Sequence, residues 1–160
     1  MSFALEKEMT PHVVKYLQDH GYLTVRETMC GRWGICDIVG VQFAERTSRR
    51  IPDCLMLVAV ELKLEDAAGV LNQCKLNQAV ANLSLAAMPA SRIGRMRQQT
   101  KQKFYDLGIG LMAVDDHSGL CEFEITPVLQ SVAEGWEDSR ENLEKRMWRY
   151  TKGLHQGLGT

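Results

Sequence analysis

The sequence predicts an α/β domain with a mixed sheet and helices on both faces, and three observations carry that prediction. Apolar runs of strand length alternate with segments of helical period. The first three strand-like runs follow one another through short linkers, which suits an antiparallel meander; a buried run follows each later helix, which suits parallel pairing through right-handed crossovers. The chain has 160 residues, 45% hydrophobic and 24% charged, ordinary usage for a globular core that needs no disulfide or structural metal.

The elements follow in order. Phe3, Met9, Val13, Tyr16 and Leu17 recur near helical spacing and Gly21 supplies a stop, so residues 3–19 form the first helix. Residues 22–28 alternate in a β-prone manner, 35–43 read as a second strand, and 54–64 are almost continuously apolar up to Glu61 and Lys63. From 67 to about 82 the pattern is helical, with Val70, Leu71, Cys74 and Ala81 on one side; 83–88 form a short strand closed by Pro89. A basic segment at 91–107 is helical by pattern and leads into a buried strand at 108–114. Asp116 to Gly119 turn the chain toward a last strand at 120–126. Residues 139–152 form a charged helix before a Gly-rich end. This divides the chain into an α/β part, 1–127, and a helical C-terminal extension, 128–160.

Net charge is −1, so no global field attracts nucleic acid or an anionic membrane, and any such contact must come from local clusters. No run of eighteen apolar residues occurs, and the start lacks a basic region followed by an apolar stretch; the expectation is a cytoplasmic protein without membrane contact. The five cysteines have neither CxxC spacing nor a clustered His pair, which argues against a zinc site or disulfide framework.

The informative residues are the polar ones that break apolar runs. Glu61 and Lys63, two apart in a strand, leave the same face and place a carboxylate and an ammonium together. That spacing alone carries little weight; its place at the end of a buried strand adds to it. Asp37 interrupts the neighbouring strand, so a second carboxylate stands beside Glu61. Burying either anion alone costs several kcal/mol, about the penalty per ion in real proteins, and Lys63 neutralises only one. A divalent cation balances the rest, and two carboxylates with waters left in place suit magnesium or manganese better than zinc. Glu6 falls on the apolar stripe of the first helix and Glu8 on its polar side, so Glu6 is the third candidate acid. Such a set polarises a phosphodiester and acidifies a water, with Lys63 stabilising the charge that develops.

A helix-borne Glu6, Asp37 on a strand and Glu61-Leu62-Lys63 together resemble the PD-(D/E)XK nuclease superfamily, the restriction-endonuclease-like fold shared by restriction enzymes, archaeal Holliday-junction resolvases and many phage nucleases. Segments 21–25, 36–39, 60–63, 70–74, 83–89 and 107–111 are similar, in the same order, to segments of uncharacterised bacterial and phage members, so the resemblance covers roughly 6–115. It implies an αβββαβ core with an added C-terminal helix and strands, and magnesium-dependent hydrolysis of DNA. The two metal-binding acids map onto Asp37 and Glu61, the catalytic Lys onto Lys63, the helix acid onto Glu6, and Gln73 onto a Gln that some branches place near the site. Two departures stand out. Cys36 precedes the acid where the superfamily name has Pro, and Glu27, between Arg26 and Thr28, rivals Glu6 as the auxiliary acid.

Nucleic-acid contacts fall on Arg92, Arg95, Arg97, Lys101 and Lys103, five bases in a stretch without an acid, and on Arg49 and Arg50 in the loop between the second and third strands. Trp148 and Tyr150 lie among five bases and two acids at 140–152, as stacking residues or as the packed side of a docking helix. The other readings are a nuclease-like module that binds DNA or a protein without turnover, and an enzyme acting on RNA or a small phosphorylated molecule. Double-strand cleavage with one site per chain favours a homodimer.

Overall fold

Glu6–Glu8 form a 3-10 turn and helix α1 then runs Thr10–Asp19, so the helical period expected across 3–19 is divided at Met9. Pro11 opens α1 in its first turn, where a missing N–H costs nothing. The Glu8 carboxylate accepts the backbone N–H groups of Ala4 and Leu5 at 2.7 and 3.0 Å, which tightens the turn ahead of it. Glu6 therefore sits in this turn, not on the helix as expected. The computed structural model describes residues 2–32 and 34–155, and the Gly-rich end from 156 lies outside them.

Strands β1 (Leu23–Met29), β2 (Ile35–Phe43), β3 (Cys54–Leu62), β4 (Leu83–Pro89), β5 (Gly110–Val114) and β6 (Cys121–Ile125) stand side by side, in chain order, in one six-stranded sheet. The first three form an antiparallel meander, β3–β4 and β4–β5 are parallel, and β6 returns antiparallel to β5. The mixed sheet expected from linker lengths is thus present. The parallel crossovers are made by helix α2 (Ala67–Asn77) and by a pair, α3 (Ala90–Gly94) and α4 (Gln98–Leu107), where the sequence pattern suggests one helix. The break lies at 95–97, Ile93 before it and Phe104 after it belong to one cluster under the sheet, and Gly108 at φ 68 ends α4 in the left-handed conformation.

The period-2 alternation of β3 divides the core. Val58, Val60 and Leu62 face α1 through Met9, Val13 and Leu17, while Leu57 and Ala59 face Leu143 and Met147 of helix α5 (Glu137–His155). Val70, Cys74 and Phe104 of α2 and α4 cover Ala86, Met88 and Leu111 on the third side of this core. The Val, Leu, Met and Phe side chains among these, fully buried, contribute about 1.5–3 kcal/mol each, so the sheet is held on both faces. Gly40 is required where β2 passes between Val58 and Tyr22, since a Cβ there would lie 2.7 Å from Val58 Cγ1. Among the described residues no helix is long and apolar enough to cross a membrane.

Candidate functional site

The β2–β3 ladder ends at Ile38 and Val60, and one step further the same register sets Asp37 opposite Glu61. There the backbone bonding gives way to a side chain: the Leu62 N–H, which points toward β2, donates to Asp37 Oδ2 at 2.8 Å. The Asp37 carboxylate thus occupies the place of a ladder carbonyl at the opening between the strands. Cys36 fills the space beneath, its thiol donating to the carbonyl oxygens of Ile38 and Val60 at 3.2 and 3.3 Å. Proline at that position could make neither bond.

Glu61 continues the face of Leu57 and Ala59 and is buried, with 3% of its surface exposed. Burial pushes its pKa up to about 7; the neighbouring Asp37 carboxyl pushes the same way, against the donor from Asn77. Asn77, the last residue of α2, donates from Nδ2 to Glu61 Oε1 at 2.7 Å and is itself buried. Gln73, one turn earlier, lines a cavity of about 110 Å³ together with Glu61, Asn77, Cys30 and Ile35. Among the described residues neither Asp37 nor Glu61 takes part in an ion pair.

Lys63 lies just past the end of β3, its N–H donating to Ala87 O, and its ammonium meets Glu6 Oε1 at 3.4 Å. Glu6, rather than Glu8 or Glu27, is therefore the acid that joins Lys63. Glu8 is engaged at the N-terminal turn, and Glu27 is an exposed residue of β1 with φ 49, a sterically unfavourable left-handed conformation for a non-glycine. The four charged residues form two couples, Asp37 with Glu61 and Lys63 with Glu6.

The basic residues separate. Arg92 and Arg95 line a cleft with Leu64 and Glu65, next in the chain to Lys63. Lys101 is paired with Glu124 at 2.9 Å. Arg97, Lys103, Arg49 and Arg50 are exposed. Trp148 packs edge-on against Phe43 in the core with Arg46 over its ring, while Tyr150 faces solvent.

No family model and no curated protein matches the chain. Among solved structures it is similar to a protein of unknown function from Silicibacter pomeroyi, with a TM-score of 0.60 and 13% identity over 100% of this chain and 97% of that one. At that identity the similarity is one of fold.

The donor set fits a hard divalent cation. Among the described residues no group of three or more His, Cys, Asp or Glu converges, so a cation here would have two carboxylates and would keep several waters, as magnesium does. The sequence reading missed Asn77. Its signal was present: Asn77 extends the buried stripe of Val70 and Cys74 at helical spacing, and a polar residue on such a stripe needs a partner.

Proposed function

We propose that the chain is a metal-dependent nuclease of the PD-(D/E)XK type, with a restriction-endonuclease-like core, that hydrolyses DNA phosphodiester bonds. The observation that supports it best is the convergence of two acids from adjacent strands, one of them buried, without a countercharge among the described residues. A like-charged pair of that kind is retained where a cation is bound, because repulsion and desolvation otherwise oppose it.

Asp37 and Glu61 are the residues that would hold Mg²⁺ or Mn²⁺. Bound there, the ion supplies Lewis-acid polarisation of the phosphodiester and a more acidic water. The chain's own residues do the rest. The Leu62 N–H aims Asp37, and Asn77 aims Glu61 and favours its ionised form. The Lys63 ammonium, held by Glu6, offsets the charge that grows on the phosphate oxygens as the nucleophile adds. Gln73, on the cavity wall, is within the same recess for contacts to the strand or to water.

A cleavage assay on supercoiled, linear, branched and single-stranded DNA and on RNA, with Mg²⁺ or Mn²⁺ and with EDTA, tests the proposal. Metal-dependent products from the parent and none from Asp37→Asn support it. Equal cutting by both proteins, or no cutting of any substrate, defeats it. The second reading, a DNA-binding module without turnover, is favoured by the occupation of Lys63 by Glu6; Mn²⁺ calorimetry separates the two, since only a working site must bind the ion.

A further inference from the structure

A second polar feature lies beyond Lys63. Strand β4 ends at Pro89 and α3 begins at the next residue, which places Arg92 and Arg95 beside the chain leaving β3. This turn is fixed in place. Asp116 accepts both the Ser91 N–H and the Ser91 hydroxyl at 2.9 Å, and Ile93 is buried in the core between the two arginines. Between α3 and residues 2–4 is a cleft of about 230 Å³, and Glu65 is the one acid among its lining residues.

Arg92 is poorly satisfied for a guanidinium in such a position. Its Nη2 makes one long bond, 3.4 Å, to the Glu65 carbonyl oxygen, and its Nε is shielded from solvent with no acceptor among the described residues. A shielded donor without an acceptor is unfavourable, so the guanidinium is not locked in place, and an oxygen-rich anion entering the cleft meets its outer nitrogens, of which Nη2 makes only the one long bond. A guanidinium fork matches phosphate oxygens in shape as well as charge. Glu65 is two residues from Lys63, at most about 7 Å along an extended backbone, so the cleft adjoins the site.

We infer that this cleft is a phosphate subsite in which Arg92, with Arg95 beside it, holds the nucleic-acid backbone next to the phosphodiester that faces Lys63. The adjacency to a reacting phosphodiester rests on the nuclease reading; the binding of a phosphate by Arg92 does not. The subsite contacts the backbone alone, so it holds the strand without reading its sequence.

Fluorescence anisotropy of labelled 20-nucleotide single and double strands, in EDTA across a salt series, tests the inference. The expected result is that Arg92→Gln weakens binding about tenfold at moderate salt and reduces the log–log salt slope by about one, the signature of one lost phosphate contact. Arg95→Gln weakens it less, and Glu65→Gln tightens it two- to threefold, about the effect of removing one nearby like charge at high dielectric. Inorganic phosphate should raise the melting temperature of the parent and not of Arg92→Gln. A parent that fails to bind either strand, or the same affinity and slope for parent, Arg92→Gln and Arg95→Gln, overturns it. Equal competition by polyglutamate overturns it as well. If Arg92→Gln does not fold, Arg95→Gln and Glu65→Gln decide by their opposite shifts. Arg92-dependent binding without cleavage would sink the nuclease reading alone; cleavage lost in Asp37→Asn with unchanged binding in the arginine variants would sink this one alone.

Discussion

Two buried charges in this protein are treated in opposite ways. Arg140, on α5 and 7% exposed, is satisfied throughout: Nε meets Glu144 at 2.7 Å, Nη1 donates to Val80 O at 2.6 Å, and Nη2 donates to Asn82 Oδ1 at 2.9 Å. Glu61, 3% exposed, has a donor in Asn77 and a carboxyl of the same charge opposite. On the proposed reading, the difference separates a structural ion from one held for a task. The first has an acceptor for each nitrogen and latches α5 to the start of β4; the second is left short of positive charge at the mouth of a cavity.

The comparison is broken most directly by removing Arg140 and, at the other place, Asp37, the acid that faces Glu61. Asp37→Asn should lower metal-dependent cleavage by about 10²-fold or more, measured as initial rate at saturating Mg²⁺, while leaving the fold intact. Arg140→Ala should leave the chemistry of the site alone yet cost about 3 kcal/mol in urea denaturation, because Glu144 and Val80 O lose their donor and Asn82 Oδ1 keeps only the Leu57 N–H. If Asp37→Asn unfolds the protein and Arg140→Ala does not, the two charges have been assigned the wrong way round.

Glu61 sharpens the contrast through pH. Its folded pKa, about 7 against an ordinary 4.5, means that the folded state keeps a proton which the unfolded chain gives up between those values. Stability is therefore highest below pH 4.5, falls as pH rises through about 7, and is level above as far as this group is concerned. Glu61→Gln should remove that fall and be more stable than the metal-free parent at pH 8 by an amount on the order of 1–3 kcal/mol, read from denaturation at pH 5 and pH 8. Mg²⁺ should stabilise the parent at pH 8 and not the Gln variant.

Asn77→Ala is expected to act in the other direction on the same group. Without the donor to Oε1 the Glu61 proton is held more tightly, so Mn²⁺ affinity at pH 7 should drop and recover at higher pH, while stability falls by about 1–3 kcal/mol. An unchanged pH profile of Mn²⁺ binding would show that Asn77 merely fills space. The smallest effect belongs to Glu124→Gln, which breaks the pair with Lys101 at the protein surface and should cost no more than about 1 kcal/mol, screened by salt.

Much of the architecture was legible because it is written in periodicity. Apolar runs at 35–43 and 54–64 marked adjacent strands, and the close connection between them suited an antiparallel pair, which carries Asp37 to Glu61. What periodicity does not encode was harder to read. Glu6 sat on the apolar stripe of a helix by count, but Pro11 starts that helix later, and the acid reaches Lys63 from the turn ahead of it. The segment 91–107 has a continuous helical pattern, and Ile93 and Phe104, eleven residues apart, would fall on one face of an unbroken helix, so nothing in the period marks the break at 95–97. Arg140 lay among charges typical of a solvated face, and its burial depends on oxygens from Val80 and Asn82, about sixty residues away along the chain.

The bond that aims Asp37 comes from a main-chain amide, that of Leu62. Every amino acid except proline brings the same donor, so substitution at 62 can erode the hydrophobic layer under α1 without turning the acid. The direction of this carboxylate is inherited from the path of the strand itself, and it persists through any sequence drift that leaves β3 running where it does.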